Sequence, residues 1–243
     1  MSTRFVIIGG GPAGNIAATH AARLGAEVTV VERDVIGGAA HLWDCIPSKT
    51  MIATGGAMSF TRRLHGMGLE EQDAEIDPEA LADRIEGIKS HIRKGIEGLL
   101  TSQGVRLMAG TATVTGPNEV VVDTGSGRET LQADAILIAT GSRPRVPPWC
   151  DPDGDRILTT RQCYPPRQIP THITVIGSGV TGVEFVHMFS SLGCKVTLVV
   201  SRQQVLPAKD PEVAAVLEDD FLKRGVTLLK GARAIGIDRL SDC

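Results

Sequence analysis

With 243 residues, the chain has room for one large domain or two ordinary ones. Its net charge of −3 and pI near 6.1 leave no basic footprint for nucleic acid or an anionic membrane, and 3% aromatics supply no platforms for stacking bases. No apolar run approaches the ~20 residues of a membrane span. The five cysteines (Cys45, Cys150, Cys163, Cys194 and Cys243) are scattered and form no Cys-x-x-Cys pair, which argues against a zinc site or a disulfide framework and fits a reducing cytoplasm.

The chain opens on the apolar run Phe5-Val6-Ile7-Ile8, which leads straight into Gly9-Gly10-Gly11-Pro12-Ala13-Gly14. A run that ends in a glycine fingerprint reads as a buried strand, not as a secretory signal. The pattern predicts a strand over residues 4–8, a helix over 12–24 and a second strand over 27–31, which together form a first βαβ unit. A helix is expected over 46–65, with Pro47 near its first turn. A looser acidic segment follows over 66–76, then a helix over about 78–102 whose apolar residues Leu81, Ile85, Ile88, Ile92, Ile96 and Leu99 form a stripe. Residues 105–114 and 119–122 alternate as strands about a turn at Gly116-Pro117-Asn118. The continuous apolar run 135–139 suits a strand covered on both faces. Seven prolines between residues 143 and 170 mark loop and linker.

From Ile173 the opening pattern repeats as Ile173-Thr174-Val175-Ile176 and then Gly177-Ser178-Gly179-Val180-Thr181-Gly182. In each copy the first glycine (Gly9, Gly177) permits the turn off the strand and the second (Gly11, Gly179) lets backbone approach a pyrophosphate. The third (Gly14, Gly182) lets helix pack against sheet, and the helix N-terminus then faces the anion. One such match is weak evidence, whereas two, each placed between a strand and a helix, are strong.

The copies differ about 20 residues past the first glycine, where an acid normally binds the adenosine ribose. Glu32 fills that place in the first copy, which suits an unphosphorylated adenosine such as that of FAD. In the second copy Val200 fills it, followed by Ser201 and Arg202. No carboxylate would repel a 2′-phosphate there, so the second site suits NADPH. Arg202 capping a surface turn is the alternative.

Together with these fingerprints, three further segments resemble the flavoprotein pyridine nucleotide–disulfide oxidoreductases, the group that includes dihydrolipoamide dehydrogenase, glutathione reductase and soluble transhydrogenase. Gly37-Gly38-Ala39-Ala40-His41-Leu42-Trp43-Asp44-Cys45-Ile46-Pro47-Ser48-Lys49 is similar to that family's redox segment. Ala139-Thr140-Gly141-Ser142-Arg143-Pro144 resembles the stretch where the chain leaves the flavin domain. Gly182-Val183-Glu184 resembles the extension of the second fingerprint. The resemblance implies an α/β fold of two Rossmann-like units, the second inserted in the first and incomplete. It places an FAD domain over 1–145, a linker over 146–170 and an NAD(P)H domain over 171–243.

The resemblance further implies that Gly38, Thr140 and Gly141 join Gly9, Gly11, Pro12, Ala13, Gly14 and Glu32 in holding FAD. It gives Gly177, Gly179, Val180, Thr181, Gly182, Ser201 and Arg202 to the nicotinamide nucleotide. It pairs Lys49 with Glu184 beside the flavin, where a cation would meet incoming negative charge, and it sets Cys45 against the flavin.

Two departures shape the expected activity. Ala40 stands where the family has its first redox cysteine, and a dithiol relay needs two sulfurs, so disulfide reduction and dihydrolipoamide dehydrogenase activity are not expected. The expected acceptor takes electrons from flavin itself: a quinone, or a second pyridine nucleotide as in a soluble transhydrogenase. The family also runs to roughly twice this length, with a C-terminal domain that forms a homodimer and carries the acid–base histidine. None of His20, His41, His65, His91, His172 or His187 matches that histidine, and an inactive fragment ending at Cys243 is a further expectation.

Overall fold

In the computed structural model, residues 2–70 and 74–239 are described. Part of the expected loose segment over 66–76, and Cys243, lie outside them. The chain groups into two compact units, Met1–Pro47 with Asp83–Pro144, and Ser48–Ala82 with Arg145–Cys243.

The first unit is built on four parallel strands, β1 (Arg4–Ile8), β2 (Glu27–Glu32), β3 (Arg106–Ala109) and β7 (Ala135–Ile138), in the order β3-β2-β1-β7. Helix α1 (Pro12–Arg23) makes the β1–β2 crossover. Successive side chains of β1 and β2 point to opposite faces, and the core divides accordingly. Ile7, Val28 and Val30 face a layer with Ala18 of α1, and with Leu100 of helix α3 (Pro78–Ser102). Val6 and Val31 face the other way, onto Val120, Val122 and Leu131. Those three belong to an antiparallel meander of β4 (Thr111–Gly116), β5 (Glu119–Asp123) and β6 (Arg128–Gln132).

The strand expected over 105–114 is in fact two strands in two sheets. Gly110 divides them: its N–H donates to the Glu32 carbonyl at 2.9 Å, and a Cβ on it would meet the Asp123 carbonyl oxygen at 2.6 Å. Only glycine lets the chain cross there. Strand β6 was not anticipated, because Arg128–Gln132 is polar on its outer face and buries only Leu131.

Arg4 and Asp134 tie the start of β1 to the start of β7. The Arg4 guanidinium and backbone N–H each lie 2.8 Å from the Asp134 carboxylate and hold its pKa down to about 2. The carboxylate is the ionised partner, so its stabilising effect is present above the unfolded pKa of about 4 and is lost as pH falls through about 2. Denaturant midpoints of wild type and Asp134→Asn should therefore differ by a constant amount above about pH 5 and converge towards pH 2. A gap that persisted at pH 2 would contradict this.

The second unit carries three parallel strands, β8 (His172–Ile176), β9 (Lys195–Val200) and β10 (Thr227–Lys230), in the order β10-β9-β8. Helix α4 (Val180–Ser191) joins β8 to β9, and α5 (Pro211–Lys223) joins β9 to β10. Phe189 and Phe221 are wholly buried. Arg224, just past α5, reaches back to the His187 carbonyl at 3.1 Å and the Ser191 hydroxyl at 2.9 Å, and also bonds Ser190. Burial, and then the Arg224 charge, hold the His187 pKa below its ordinary value.

Helix α2 (Cys45–Thr61) ends four residues earlier than the expected 46–65, and a short 3₁₀ turn follows at Leu64–Met67. Five residues ahead of it, Ala40–Asp44, form a π-helical turn. Among the described residues, no helix is long and apolar enough to cross a membrane.

Candidate functional site

The first glycine turn leaves the C-terminal end of β1, where neighbouring parallel strands part and ligands settle in α/β sheets. Gly9 has φ +112°, closed to other residues, and its N–H donates to the Val31 carbonyl at 2.8 Å. A Cβ on Gly14 would overlap the Gly9 carbonyl, so the third glycine is a packing requirement. Gly11 is different. Its φ of −78° is open to any residue, and a Cβ there would meet nothing nearer than the Gly38 Cα at 3.9 Å. Gly38 lies against it, with φ +68° and its own Cβ direction 2.5 Å from the Gly11 Cα. No side chain caps α1, and Pro12 has no N–H, so the amides of Ala13 and Gly14 are open to a ligand.

Glu32 ends β2 with its carboxylate fixed on both oxygens. Oε2 accepts the Gly10 N–H and Oε1 the Asp34 N–H, each at 2.7 Å. Thr140 and Gly141 follow β7, and Arg143 beyond them bonds Asp34 at 3.1 Å. Asn15, 8% exposed in α1, has neither amide atom bonded among the described residues. Asn15, Asp34 and Arg143 escaped the sequence reading because only folding brings their segments together.

The second turn repeats this geometry. Gly177 also has φ +112°, its N–H donates to the Val199 carbonyl at 3.1 Å, and a Cβ on Gly182 would overlap the Gly177 carbonyl. Gly179 caps α4 at φ −72° with no side-chain cap, and a Cβ on it would meet no atom within 4 Å. Val180 and Thr181 are exposed in the first turn. Strand β9 ends at Val200, wholly buried, followed by exposed Ser201 and Arg202. The Arg202 carbonyl accepts the Gly231 N–H at 3.0 Å, and its side chain lines an open hollow with Gln203, Gln204, Pro207 and Ala208.

Lys49 and Glu184 meet through helix packing. A Cβ on Gly55 of α2 would lie 2.8 Å from the Ser191 Cβ and 3.5 Å from the Met188 carbonyl oxygen, so the glycine lets α4 approach closely there. Six residues towards the start of α2 is Lys49, and seven towards the start of α4 is Glu184. Their Nζ and Oε1 atoms are 2.7 Å apart. With 53% and 36% of these side chains exposed, the ion pair adds at most about 1 kcal/mol to stability.

Cys45 is exposed at the head of α2, directly after the π turn that begins at Ala40. Burial raises the pKa of Cys163 to about 12 and that of Cys194 to about 11, so neither offers a thiolate near neutral pH.

The family model for pyridine nucleotide-disulphide oxidoreductases matches residues 3–242. An NAD(P)H dehydrogenase (quinone) of Mycobacterium tuberculosis is 42% identical over 98% of this chain and 51% of its own length. A dihydrolipoyl dehydrogenase of Chlorobaculum tepidum is 35% identical over 93% of this chain and 49% of its own length. The crystal structure of LpdA from Mycobacterium tuberculosis superposes with a TM-score of 0.89 at 40% identity, covering 98% of this chain and 53% of that one. The chain thus spans about half the length of the relatives it matches.

Proposed function

The chain belongs to the pyridine nucleotide–disulphide oxidoreductase family, and from that membership we propose that it serves an FAD-dependent NAD(P)H oxidoreductase whose acceptor is a quinone and not a disulfide. One observation carries the reading. Gly11 and Gly179 are required neither by their backbone angles nor by any protein neighbour. A ligand lying against the backbone at both helix N-termini would account for a residue without a side chain in each place.

In this reading the first turn holds FAD through the open amides of α1, with the doubly anchored Glu32 presenting its free lone pairs to ribose hydroxyls. The second turn holds the nicotinamide nucleotide, and Ser201 and Arg202 favour its 2′-phosphate. Bound flavin would accept a hydride from the nicotinamide and pass electrons to the acceptor. Lys49 supplies a fixed positive charge for that exchange, and Glu184 keeps its ammonium in place. Cys45, with Ala40 where a second sulfur would be needed, takes no part in thiol exchange. The name of the Mycobacterium tuberculosis relative supports the quinone acceptor.

The test is spectroscopic. The chain purified with excess FAD should be yellow, should bleach under anaerobic NADPH, and should recover colour on adding a benzoquinone but not lipoamide. Recovery with lipoamide would refute the acceptor assignment, and a protein that takes up no flavin would refute the first-site assignment.

A further inference from the structure

The loop after β9 is held more firmly than a surface connection requires. Glu218 of α5 is 9% exposed and serves two partners: Oε1 accepts the Val205 N–H at 2.8 Å, and Oε2 lies 2.7 Å from Lys230 Nζ on β10. Val205 is itself wholly buried. The next residue, Leu206, has φ +47°, a left-handed conformation that non-glycine residues adopt only where their surroundings impose it. Its N–H donates at 2.7 Å to the carbonyl of Ser178, the middle residue of Gly177-Ser178-Gly179. Gln204 Nε2 donates to the Lys209 carbonyl at 3.1 Å, which closes the loop on itself.

The backbone is therefore pinned to α5, to the end of β10 and to the glycine turn, while the Arg202 guanidinium is left for solvent. Among the described residues no carboxylate pairs with it, and it lines the open hollow with Gln203 and Gln204. Fixed backbone and unspent donors suit an anion that arrives from outside.

We propose that Glu218 is a positioning residue for nucleotide choice. By anchoring Val205 to α5, it fixes the loop that follows β9 and holds Ser201 and Arg202 ready for the 2′-phosphate of an NADP-type dinucleotide. This rests on the second turn being the nicotinamide nucleotide site. A dinucleotide without that phosphate engages only the glycine turn and gains nothing from the preset loop. A phosphorylated one would otherwise lose affinity to ordering the loop.

The experiment is a binding titration of the full chain with NADPH and NADH, each followed by nicotinamide fluorescence. Wild type should prefer NADPH. Glu218→Ala should weaken NADPH about tenfold and NADH less than about twofold. Glu218→Gln, which keeps an acceptor for the Val205 N–H, should stay near wild type. Leu206→Gly relaxes the left-handed residue without removing a core group, so it decides the matter if Glu218→Ala does not fold, and it should also erode the NADPH preference. Equal weakening of both nucleotides in these variants, or no weakening, would overturn the proposal. A wild type that binds both equally overturns it while leaving the nucleotide site intact, and one that binds neither overturns the site assignment as well.

Discussion

Lys49→Ala should slow the bleaching of bound FAD by NADPH by roughly 100-fold while weakening FAD retention less than about threefold. The asymmetry follows from exposure. Lys49 and Glu184 are open enough that their 2.7 Å ion pair does little for stability, so in the proposed reading its value lies in the charge it would present during the reaction. Glu184→Gln, which can still accept a hydrogen bond but no longer balances the ammonium, should fall between wild type and Lys49→Ala. Anaerobic stopped-flow absorbance reads all three, and a Lys49→Ala protein that bleaches at the wild-type rate would remove this residue from the chemistry.

Alanine at the two third glycines should separate the two nucleotide sites. In Gly14→Ala the new methyl overlaps the Gly9 carbonyl, and in Gly182→Ala it overlaps that of Gly177. Relief means pushing a helix off its sheet, at about 1–3 kcal/mol, and moving the amides that would face a pyrophosphate. Gly14→Ala should therefore emerge colourless even with added FAD, whereas Gly182→Ala should be yellow and fail to bleach with NADPH. If both variants lost both properties, the overlap would be acting through general unfolding and not through separate sites.

Much of this was legible in the chain because the constraints are local. Helix α3 runs from Pro78 to Ser102 as expected. Asp77 Oδ1 caps the Glu79 and Ala80 amides at 3.0 Å, Pro78 fills the first position, and Gly104 closes the end at φ +73°. The same signals surround α5, where Asp210 accepts the Glu212 N–H at 2.8 Å ahead of Pro211. That helix carries equally local signals, although the glycine motif ahead of it dominates the pattern of the second unit.

Other features had no local signature. The break at Gly110 depends on the approach of Asp123, and the closeness of α2 and α4 depends on Gly55 facing Ser191. The reach of Glu218 to Val205 exists only once α5 has folded back over its own preceding loop. Lys49 and Glu184 could be matched by resemblance, but nothing in their separation along the chain says that they touch.

Gly179 carries one more consequence. At φ −72° and with no neighbour for a methyl, alanine would fit this position: it would stiffen the unfolded chain by about 0.4–1 kcal/mol, while being a poorer helix N-cap than glycine by a similar amount, so the exchange should cost the fold little. Folding alone would thus be nearly indifferent to the exchange. A programme that ranks variants by heat resistance would let the substitution through and be blind to the loss of nucleotide binding that the proposed site predicts, so on that reading durability and turnover are selected at this residue independently.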